Sequence, residues 1–423
     1  MNNIDINLFK SELRQNLTEN ILPYWMNKMC DPRGGFYGRR DGYDNLDAEA
    51  PKGAILHGRI VWTFSAAHRF SENSGYIDYA KRAAVFIDSC FLDKEYGGAF
   101  WSVDAEGNPL DTKKQYYAIA FIIYGASEMY LATGDKRCLD LAWNLFNCIE
   151  DHARDYDLDG YIEASTREWG KIEDMRLSSH DANASKTMNT HLHILEGYTN
   201  LLRALKHCKP GHEDGPDMMI RKVEEATKNL LRVFLYKIEN SDTHHLTLFF
   251  DDCWRKFDDA ESYGHDIEAS WLLLESAEVI GDKELFEETL RHTEKIALAG
   301  LKGRENDGSM IYELHADGRC DNNKHWWVQA ENVIGQLYLA YFHSDPGSEE
   351  EKKYLSDAWR SWRYIADNLV DPNGEWYWAI NSDSTIDRKD DKAGFWKCPY
   401  HNSRMCLESI KILDLIEKRR QKA

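Results

Sequence analysis

The sequence predicts an all-α protein in which twelve helices form six hairpins that close into a ring. Two observations support this prediction. A Gly-containing turn followed by a short alternating aromatic or β-branched segment recurs along the chain. Between these turns, apolar residues recur at the three- and four-residue spacing of helices. No Pro/Gly/Ser-rich linker divides the 423 residues, so we expect one domain spanning residues 1–423.

The repeated turn sets the number of units. Gly34, Gly97 and Gly160 are separated by about 63 residues, and Gly308 and Gly374 by about 66. The gap between Gly160 and Gly308 is about twice this period, and a copy without glycine lies within it. The six copies are RGGFYG (33–38), YGGAFW (96–101), LDGYIEA (158–164), HHLTLFF (244–250), NDGSMIYE (306–313) and PNGEWYW (372–378).

Each turn lies between two segments with helical periodicity. Six segments precede the turns, near residues 6–28, 76–92, 136–153, 217–236, 283–300 and 350–369. Six follow them, near residues 53–70, 114–132, 186–206, 264–281, 325–343 and 400–418. The second set is richer in Ala, Leu and Ile around its circumference, which indicates an inner ring. A linear helical solenoid is the alternative, but six similar units favour a closed ring with short strands in its loops.

The charge balance limits the partners of the protein. The chain has 52 Lys and Arg residues against 72 Asp and Glu residues, a formal net charge of −20. Such a surface repels phosphate backbones and anionic membranes, so we expect no nucleic-acid or membrane partner. A neutral small molecule is not repelled and is the expected ligand.

The cellular location follows from segments that the sequence lacks. The stretch MNNIDINLFKSELRQNLTENILPYW does not have the pattern of a secretory signal, and no stretch is apolar enough to span a bilayer. The nine cysteines are an odd number without a C-x-x-C pair, which is typical of reduced thiols. We therefore expect a cytoplasmic protein, either a monomer or a weak homodimer.

Residues that are unusual in a helical core occur near the N-terminal ends of the predicted inner helices. In a closed ring of parallel inner helices these ends meet at one mouth, so we expect one shared cavity. The residues are Arg59 in KGAILHGRIVW, Tyr116 and Tyr117 in KKQYYAIAF, Asn189, His191 and His193 in KTMNTHLHILEGY, His265 and Glu268 in YGHDIEASW, Trp326, Trp327 and Glu331 in HWWVQAENVIG, and Trp396, His401 and Arg404 in GFWKCPYHNSRMCLE.

Acid–base chemistry is the reaction type that these residues favour. His265 and Glu268 are three residues apart and share one helix face. The helix dipole disfavours an imidazolium there, which predicts a neutral His265 near pH 7 with Glu268 orienting its ring. A second histidine on the opposite wall would return a proton, and Arg59 would stabilise an enediolate oxyanion. His191 diverges from His193 by about 200° around the helix, so we expect it to face away.

Structural roles are the first alternative for these residues. A histidine on an inner helix is commonly a hydrogen-bonded core residue. Trp326 and Trp327 can serve packing alone, and Arg59 can form an ion pair or a helix cap. Three histidines at equivalent positions of separate units favour the catalytic interpretation.

Two other chemistries remain open from the residues alone. A zinc or manganese site is the first, although no H-x-x-x-H or H-E-x-x-H pair supports it, and its ligands would be His193, His265 and His401. Glycoside hydrolysis is the second, and its opposed carboxylates would come from Glu268, Glu331 and Asp181. The sequence contains neither a G-x-S-x-G nucleophile motif nor a phosphate-binding loop.

Five stretches resemble a known family. They are KGAILHGRIVWTFSAA (52–67), NTHLHILE (189–196), HDIEASWLL (265–273), WWVQAE (326–331) and KCPYHNSRMCLE (397–408). In this order and spacing they resemble the cellobiose 2-epimerases of the N-acylglucosamine 2-epimerase superfamily, with similarity from about Leu22 to Glu417. The resemblance implies an (α/α)6 barrel, which agrees with the six units found independently.

The resemblance also implies a reaction. Family members invert C2 of the reducing-end glucose or mannose in β-1,4-linked disaccharides without a cofactor, and many slowly form the ketose. Cellobiose, lactose and mannobiose are the candidate substrates, and the sequence does not rank them. The alternatives within the superfamily are an N-acylglucosamine 2-epimerase and a mannose-type aldose–ketose isomerase. A glycoside hydrolase or a non-catalytic sugar-binding barrel is the alternative outside it.

The same resemblance assigns roles to the residues at the mouth. It implies that His265 and His401 act as the acid/base pair through a ring-opened cis-enediolate, and that His193 assists at the sugar oxygens. Arg59, Asn189 and Glu268 would hold or polarise O1, O2 and the catalytic imidazole. We expect the sugar subsites to be lined by Tyr117, Asp181, Trp326, Trp327, Glu331 and Trp396, with Trp254 of DDCWRKFD on the second sugar. We expect no metal ion and no cofactor.

Overall fold

The computed structural model describes residues 4–71, 75–178, 181–208, 216–257 and 260–422. Its α-helices are α1 (Ile6–Gln15), α2 (Leu22–Lys28), α3 (Ala54–Phe70), α4 (Tyr76–Phe86), α5 (Tyr116–Thr133), α6 (Lys136–His152), α7 (Met188–His207), α8 (Pro216–Val233), α9 (Tyr263–Ile280), α10 (Lys283–Gly300), α11 (Trp326–Phe342), α12 (Glu349–Tyr364) and α13 (Tyr400–Lys422). A π-helical turn joins α1 to α2 and others extend α4, α8 and α12, at Asn16–Ile21, Ile87–Phe91, Phe234–Ile238 and Ile365–Leu369. A 3-10 turn, Leu301–Gly303, follows α10.

The helices form two concentric rings. The inner ring consists of α3, α5, α7, α9, α11 and α13, each of which contacts the next, and α13 contacts α3. The outer ring consists of the continuous pair α1–α2 with α4, α6, α8, α10 and α12. The predicted all-α fold is confirmed as an (α/α)6 barrel, and the contact between α13 and α3 excludes a linear solenoid. Among the described ranges, no helix combines the length and the apolar character needed to cross a bilayer.

Burial explains why the two sets of helices differ in composition. Inner helices pack on both sides, so α5 is buried at every residue from Tyr116 to Tyr130. Outer helices bury one face only, which in α6 consists of residues at three- and four-residue spacing, namely Leu139, Ala142, Leu145, Phe146 and Ile149. The first set of helical segments in the sequence is therefore outer and the second set is inner, as predicted.

Fifteen short strands are described, all at the loops of the barrel. They are β1 (Arg39–Arg40), β2 (Leu46–Asp47), β3 (Lys52–Gly53), β4 (Ser102–Val103), β5 (Pro109–Asp111), β6 (Lys114–Gln115), β7 (Ala164–Ser165), β8 (Lys186–Thr187), β9 (Phe249–Phe250), β10 (Glu261–Ser262), β11 (Glu313–Leu314), β12 (Cys320–Asp321), β13 (Lys324–His325), β14 (Ala379–Ile380) and β15 (Ala393–Gly394). The antiparallel sheets have the orders β15-β1-β2, β3-β4-β5, β6-β7, β8-β9, β10-β11-β12 and β13-β14.

These sheets connect neighbouring units. The strand before each inner helix pairs with the strand after the next turn, as β8 pairs with β9. The first residue of the helix often continues the pairing, since the Met188 N–H donates to the Leu248 carbonyl (2.9 Å). The last strand closes the ring, because Arg39 of β1 lies opposite Gly394 of β15. The N-terminal ends of the inner helices are therefore fixed to one another by backbone hydrogen bonds.

A buried lysine in five of the six units ties the strand before the inner helix to the turn. Its ammonium contacts the acidic residue that begins the turn. The pairs are Lys52–Asp31 (2.7 Å), Lys114–Asp93 (2.8 Å), Lys186–Asp155 (2.7 Å), Lys324–Glu305 (2.7 Å) and Lys392–Asp371 (2.5 Å). The fourth unit is different, because Asn240 and Glu261 stand at these two positions.

Replacing one of these lysines tests how much the tie contributes to stability. Lys186 is fully buried and donates to the Asp155 carboxylate and to the carbonyls of Asp159 and Asp252. Lys186→Met would leave these acceptors unpaired, and we expect the free energy of unfolding to fall by about 3 kcal/mol or more. Denaturant titration followed by circular dichroism measures this change. The control is Lys94→Met, whose exposed pair with Asp88 is worth less than about 1 kcal/mol; equal losses in both variants would contradict the prediction.

Candidate active site

The N-terminal ends of all six inner helices contribute side chains to one contiguous cluster. Arg59 of α3 donates to the Tyr117 hydroxyl of α5 (2.7 Å). The Tyr117 ring lies 5.0 Å from that of His193 on α7. The structure thus joins three of the predicted site residues on one side of the barrel mouth.

Trp327 of α11 joins the other three helices. Its ring centroid lies 4.7 Å from that of His265 on α9 and 5.7 Å from that of His401 on α13. The two imidazoles are therefore no further apart than the sum of these two distances. A ligand lying on the indole face of Trp327 would be within reach of both histidines.

Each of the three imidazoles uses Nδ1 for a contact within the protein. The Nδ1 atom of His401 lies 2.8 Å from Glu331 Oε1, and that of His193 lies 2.9 Å from Glu196 Oε2. The Nδ1 atom of His265 lies 2.8 Å from the Ser262 hydroxyl. A proton on Nδ1 in these contacts leaves the lone pair on Nε2, which is the atom that a general base offers to a substrate.

Burial keeps two of these histidines neutral. Burial, with a smaller contribution from His193, lowers the pKa of His265 to about 3. Burial also lowers the pKa of His401 well below its ordinary value, and the guanidinium groups of Arg404 and Arg59 lower it further. Both imidazoles are therefore unprotonated near pH 7 in the protein without a ligand. This agrees with the neutral base expected at the start of α9.

A guanidinium group surrounded by three carboxylates lies beneath the imidazoles. Arg404 donates to Glu268 Oε1 (2.6 Å), to Glu331 Oε1 (2.7 Å) and to Glu196 Oε1. The Tyr400 hydroxyl also donates to Glu196 Oε1 (2.5 Å). All five side chains are buried, so the cluster is isolated from solvent screening.

The three carboxylates differ in their affinity for a proton. Burial, followed by the charge of Glu331, raises the pKa of Glu268 to about 7. Burial also raises the pKa of Glu331. Burial acts on Glu196 in the same direction, but Arg404 and then His193 outweigh it and lower the pKa of Glu196 to about 2. Of the three carboxyl groups, Glu268 therefore holds a proton more readily than Glu196 near neutral pH.

The partner of Glu268 differs from the sequence expectation. We expected Glu268 to orient His265, but its carboxylate contacts Arg404 and lies 3.9 Å from Nδ1 of His401. The side chain that holds His265 is Ser262, three residues earlier. The three-residue spacing puts His265 and Glu268 on one helix face, but Arg404 reaches the carboxylate from α13, on the far side of α11, and binds it.

Arg59 is held by aromatic rings and by few acceptors. Its guanidinium lies 4.1 Å from the centroid of the Phe121 ring and 4.8 Å from that of Tyr400. It donates to the Trp396 carbonyl (3.3 Å), and its Nε has no hydrogen-bond partner within the described part of the chain. Arg59 therefore retains donor capacity for an oxygen-rich ligand.

A small cavity borders His265 on the side of the third unit. It has a volume of about 50 Å³, and its lining includes Asp181, Asn189 and Glu163. The Asn189 side-chain oxygen is buried and has no hydrogen-bond partner among the described residues. Asn189 and Asp181 are therefore placed beside the same imidazole, as the sequence predicts.

Trp254 lies outside the contacts that join this cluster, and its assignment to a second sugar stays a prediction. Its ring packs against Gly160 and against the ring of His191, and its indole N–H donates to the Leu158 carbonyl (2.8 Å). Trp169 covers Gly98 in the preceding unit in the same way. Trp254 thus has a packing role at a turn.

Trp326 and His191 make contacts within the protein that support neighbouring residues. Trp326 packs on Trp378 (centroids 4.4 Å apart) and lies edge-on to His401 (6.3 Å), so it supports the imidazole. His191 is buried, and its Nε2 accepts from the Tyr161 N–H (2.9 Å). This position agrees with the expectation that His191 faces away from the cavity.

Three contributors were not singled out from the sequence. Glu196 follows His193 by three residues, and this spacing was a usable signal. Tyr400 is adjacent to His401, but nothing in the sequence distinguishes it from a core tyrosine. Ser262 precedes its helix, and only the three-dimensional arrangement reveals its contact with His265.

The donor set at the mouth fits a guanidinium better than a metal ion. Within the described residues, the one group of three side chains with metal-ligand spacing is Glu268, Glu331 and His401, and it differs from the three histidines considered above. Arg404 already donates to both of these carboxylates. A metal ion between them would meet the positive charge of Arg404 at contact distance.

Comparisons with known proteins agree with this geometry. The sequence profile of the N-acylglucosamine 2-epimerase (GlcNAc 2-epimerase) family matches residues 35–404. The chain is 48% identical to a cellobiose 2-epimerase of Bacteroides fragilis (95% of this chain, 99% of the relative) and 39% identical to one of Ruminococcus albus (95% and 98%). The structure resembles that of the cellobiose 2-epimerase from Bacillus thermoamylovorans, with a TM-score of 0.87, 36% identity and coverage of 96% and 99%.

The pKa of Glu268 near 7 gives a spectroscopic prediction. We expect an infrared difference spectrum between pH 6 and pH 8 to show the loss of a buried protonated carboxyl group, because Glu268 releases its proton in this interval. Glu268→Gln should remove part of this signal. Burial raises the pKa of Glu163 to about 7 as well, so Glu163→Gln should remove a separate part.

The exposed Glu49 supplies the control, since Glu49→Gln should leave the difference spectrum unchanged. An unchanged spectrum for Glu268→Gln in a folded protein would show that Glu268 does not titrate between pH 6 and pH 8, which would contradict the prediction.

Proposed function

The chain belongs to the N-acylglucosamine 2-epimerase family, and on this basis we propose that it inverts C2 of the reducing-end glucose or mannose of β-1,4-linked disaccharides. It is an isomerase of the epimerase type. The observation that supports the proposal best is the position of His265 and His401 against the same indole, Trp327. Inversion at carbon requires proton removal on one face and proton return on the other, and two imidazoles near one ligand meet this requirement.

The proposed reaction begins with opening of the pyranose ring, to which His401 contributes. The C2 proton of the resulting aldehyde is weakly acidic, because the electron pair that remains delocalises onto O1 as a cis-enediolate. A neutral imidazole takes this proton through Nε2. The histidine on the opposite side, which took the O1 proton when the ring opened while O5 gained a proton from solvent, delivers its proton to the other face of C2. At ring closure the first imidazolium protonates O1 and the O5 proton returns to solvent. Ring closure then gives the epimer, and the two histidines exchange roles in the reverse direction.

The Arg404 cluster supports the charge changes of the histidines. Glu331 accepts from Nδ1 of His401 and stabilises the imidazolium when Nε2 gains a proton. Burial raises the pKa of Glu268 to about 7, so this carboxyl group can be either neutral or negatively charged. It lies 3.9 Å from the same Nδ1. Arg404 keeps both carboxylates in place.

The developing oxyanion needs donors in the same cavity. Arg59 has an unpaired buried Nε and is placed to stabilise negative charge on O1 and O2. The Asn189 side-chain oxygen has no partner within the described ranges and is suited to accept from a sugar hydroxyl. His193, held by Glu196, assists at the sugar oxygens. The faces of Trp327 and Trp396 suit the apolar C–H side of pyranose rings.

Two features of the geometry support epimerisation over the alternative reactions. A glycoside hydrolase needs carboxylates on opposite sides of the bond, whereas Glu268 and Glu331 both contact Arg404 on the same wall. An aldose–ketose isomerase uses the same enediolate but returns the proton to C1, which one base on one face can do. Two imidazoles beside Trp327 favour epimerisation. The choice among cellobiose, lactose and mannobiose depends on contacts to the second sugar.

The remaining sequence expectations become proposals of the same kind. All nine cysteines are free thiols, which suits a reducing compartment such as the cytoplasm. The net charge of −20 opposes association with anionic surfaces. We propose a single catalytic domain that is a monomer or a weak homodimer.

Incubation with cellobiose in D2O tests the reaction. We expect deuterium at C2, formation of 4-O-β-glucosylmannose, and an unchanged number of reducing ends, all unaffected by EDTA. Mass spectrometry and proton NMR measure the exchange. Release of glucose would indicate hydrolysis, and deuterium at C1 with a ketose as main product would indicate an aldose–ketose isomerase.

Substitution of the two histidines tests the acid–base assignment. We expect His265→Ala and His401→Ala each to reduce C2 exchange by about 10³-fold or more, because each removes one of the two proton-transfer groups. Circular dichroism verifies folding. His207→Ala, on the exposed end of α7, is the control and should retain full activity. Near-normal exchange in either cluster variant would refute its assignment.

A further inference from the structure

The fourth unit lacks the buried lysine–carboxylate pair that the other five units share. In each unit the first turn residue donates its backbone N–H to a carbonyl four or five residues later. Asp31 does so to Gly35 and Asn240 to His245, which makes Asn240 the counterpart of the acidic residues. Glu261 begins the strand before α9, where Lys52 begins the strand before α3. A carboxylate thus replaces the ammonium group, and an amide replaces the carboxylate.

A cavity of about 270 Å³ lies at this position, and its lining includes Asn240, Thr243, His245 and Glu261. In the first unit the lysine ammonium reaches the Gly34 carbonyl (3.0 Å), and the counterpart of Gly34 is His244, which also donates its N–H back to the first turn residue. Asn240 and Glu261, which line the cavity, stand at the positions of the carboxylate and the lysine of the other units. The cavity therefore coincides with the place where the other units hold a positive charge.

One atom at this cavity is buried without a hydrogen-bond partner. His245 is 4% exposed, and its Nε2 has no such partner in the described part of the chain. Its Nδ1 lies 2.6 Å from Asp266 Oδ2, which favours the tautomer with the lone pair on Nε2. Nε2 then faces Glu261 Oε2 at 3.4 Å, and that oxygen also accepts from the Tyr263 hydroxyl (3.2 Å). With an uncharged imidazole both facing atoms carry lone pairs, and a cation between them would bind both.

The geometry of these atoms suits a metal ion. Two ligand atoms at about 2.1 Å from one ion, at a near-tetrahedral angle, are about 3.4 Å apart. The carboxylate on Nδ1 matches the arrangement that orients metal-binding histidines elsewhere, in which Asp266 would fix the ring. At about 30 Å³ per water, the cavity also has room for several waters that complete the coordination shell.

We propose that the fourth unit binds a divalent transition-metal ion through His245 Nε2 and Glu261, in place of the lysine ammonium of the other units. Lys256 also borders the cavity, and its ammonium group is the positive charge that competes with a metal ion for this position, so the test includes Lys256. The site lies next to α9. Glu261 precedes Ser262, which contacts His265, and Asp266 follows His265. An ion there would stabilise the start of α9 without contacting that imidazole, so the reaction is still expected to proceed in EDTA.

Titration of the full-length, EDTA-treated protein with CoCl2 tests the proposal by calorimetry and visible absorption. We expect one saturable site per chain and an increase in the thermal midpoint with Co²⁺. Glu261→Gln should weaken binding at least tenfold, because a carboxylate ligand is lost. Lys256→Ala should bind Co²⁺ at least as tightly as the unmodified chain. Absence of saturable binding, or equal binding by Glu261→Gln, would overturn the proposal.

Two further variants separate this site from its surroundings. Glu239 contacts His244 and His292 nearby, so His292→Ala controls for metal binding at that surface and should leave the proposed site intact. The double variant Asn240→Asp/Glu261→Lys restores the residues of the other units. It should fold, lose Co²⁺ binding and lose the metal-dependent rise in thermal midpoint. Retained binding in the double variant, or loss of binding in His292→Ala, would overturn the assignment.

Discussion

The arrangement of the mouth depends on Arg404. A buried guanidinium with three carboxylates around it satisfies each acid with a directed hydrogen bond, and without it Glu196, Glu268 and Glu331 would be negative charges in an apolar interior. Two of these acids hold the imidazoles of His193 and His401. The positions of His193 and His401 are therefore determined one layer below the cavity, by the carboxylates that Arg404 holds, whereas His265 is held by Ser262.

The barrel provides a second level of constraint through its backbone. Five of the six inner helices begin directly after a strand that is hydrogen-bonded to the next unit, so their first turns have little freedom, and residues 395–399 separate β15 from α13. The residues of interest lie in or near that first turn. A loop could carry the same side chains, but it would not hold six of them at fixed distances from different parts of the chain. The repeated turn and the buried lysine are the local features that make this possible.

The sequence predicts the fold closely because its signals are local and repeated. The outer segments near 136–153 and 283–300 correspond to α6 (Lys136–His152) and α10 (Lys283–Gly300). The convergence of the polar residues at one mouth also follows from the repeat. The hydrogen-bond partners of individual side chains do not follow from the repeat, since the contacts of Glu268 depend on Arg404 from another helix. Trp254 shows a second limit of the sequence. An aromatic residue near a site is typical of a residue that stacks on a sugar, and in the structure Trp254 covers a glycine turn as Trp169 does.

Closure of the ring has a consequence for biosynthesis. His401 and Arg404 both lie on α13, which is synthesised after the other twelve described helices, whereas Glu196 and Glu268 are made much earlier. Until α13 packs against α1 and α3, the carboxylates of Glu196 and Glu268 have no guanidinium partner. Closure of the ring and assembly of the proposed proton-transfer groups are thus a single late event in folding.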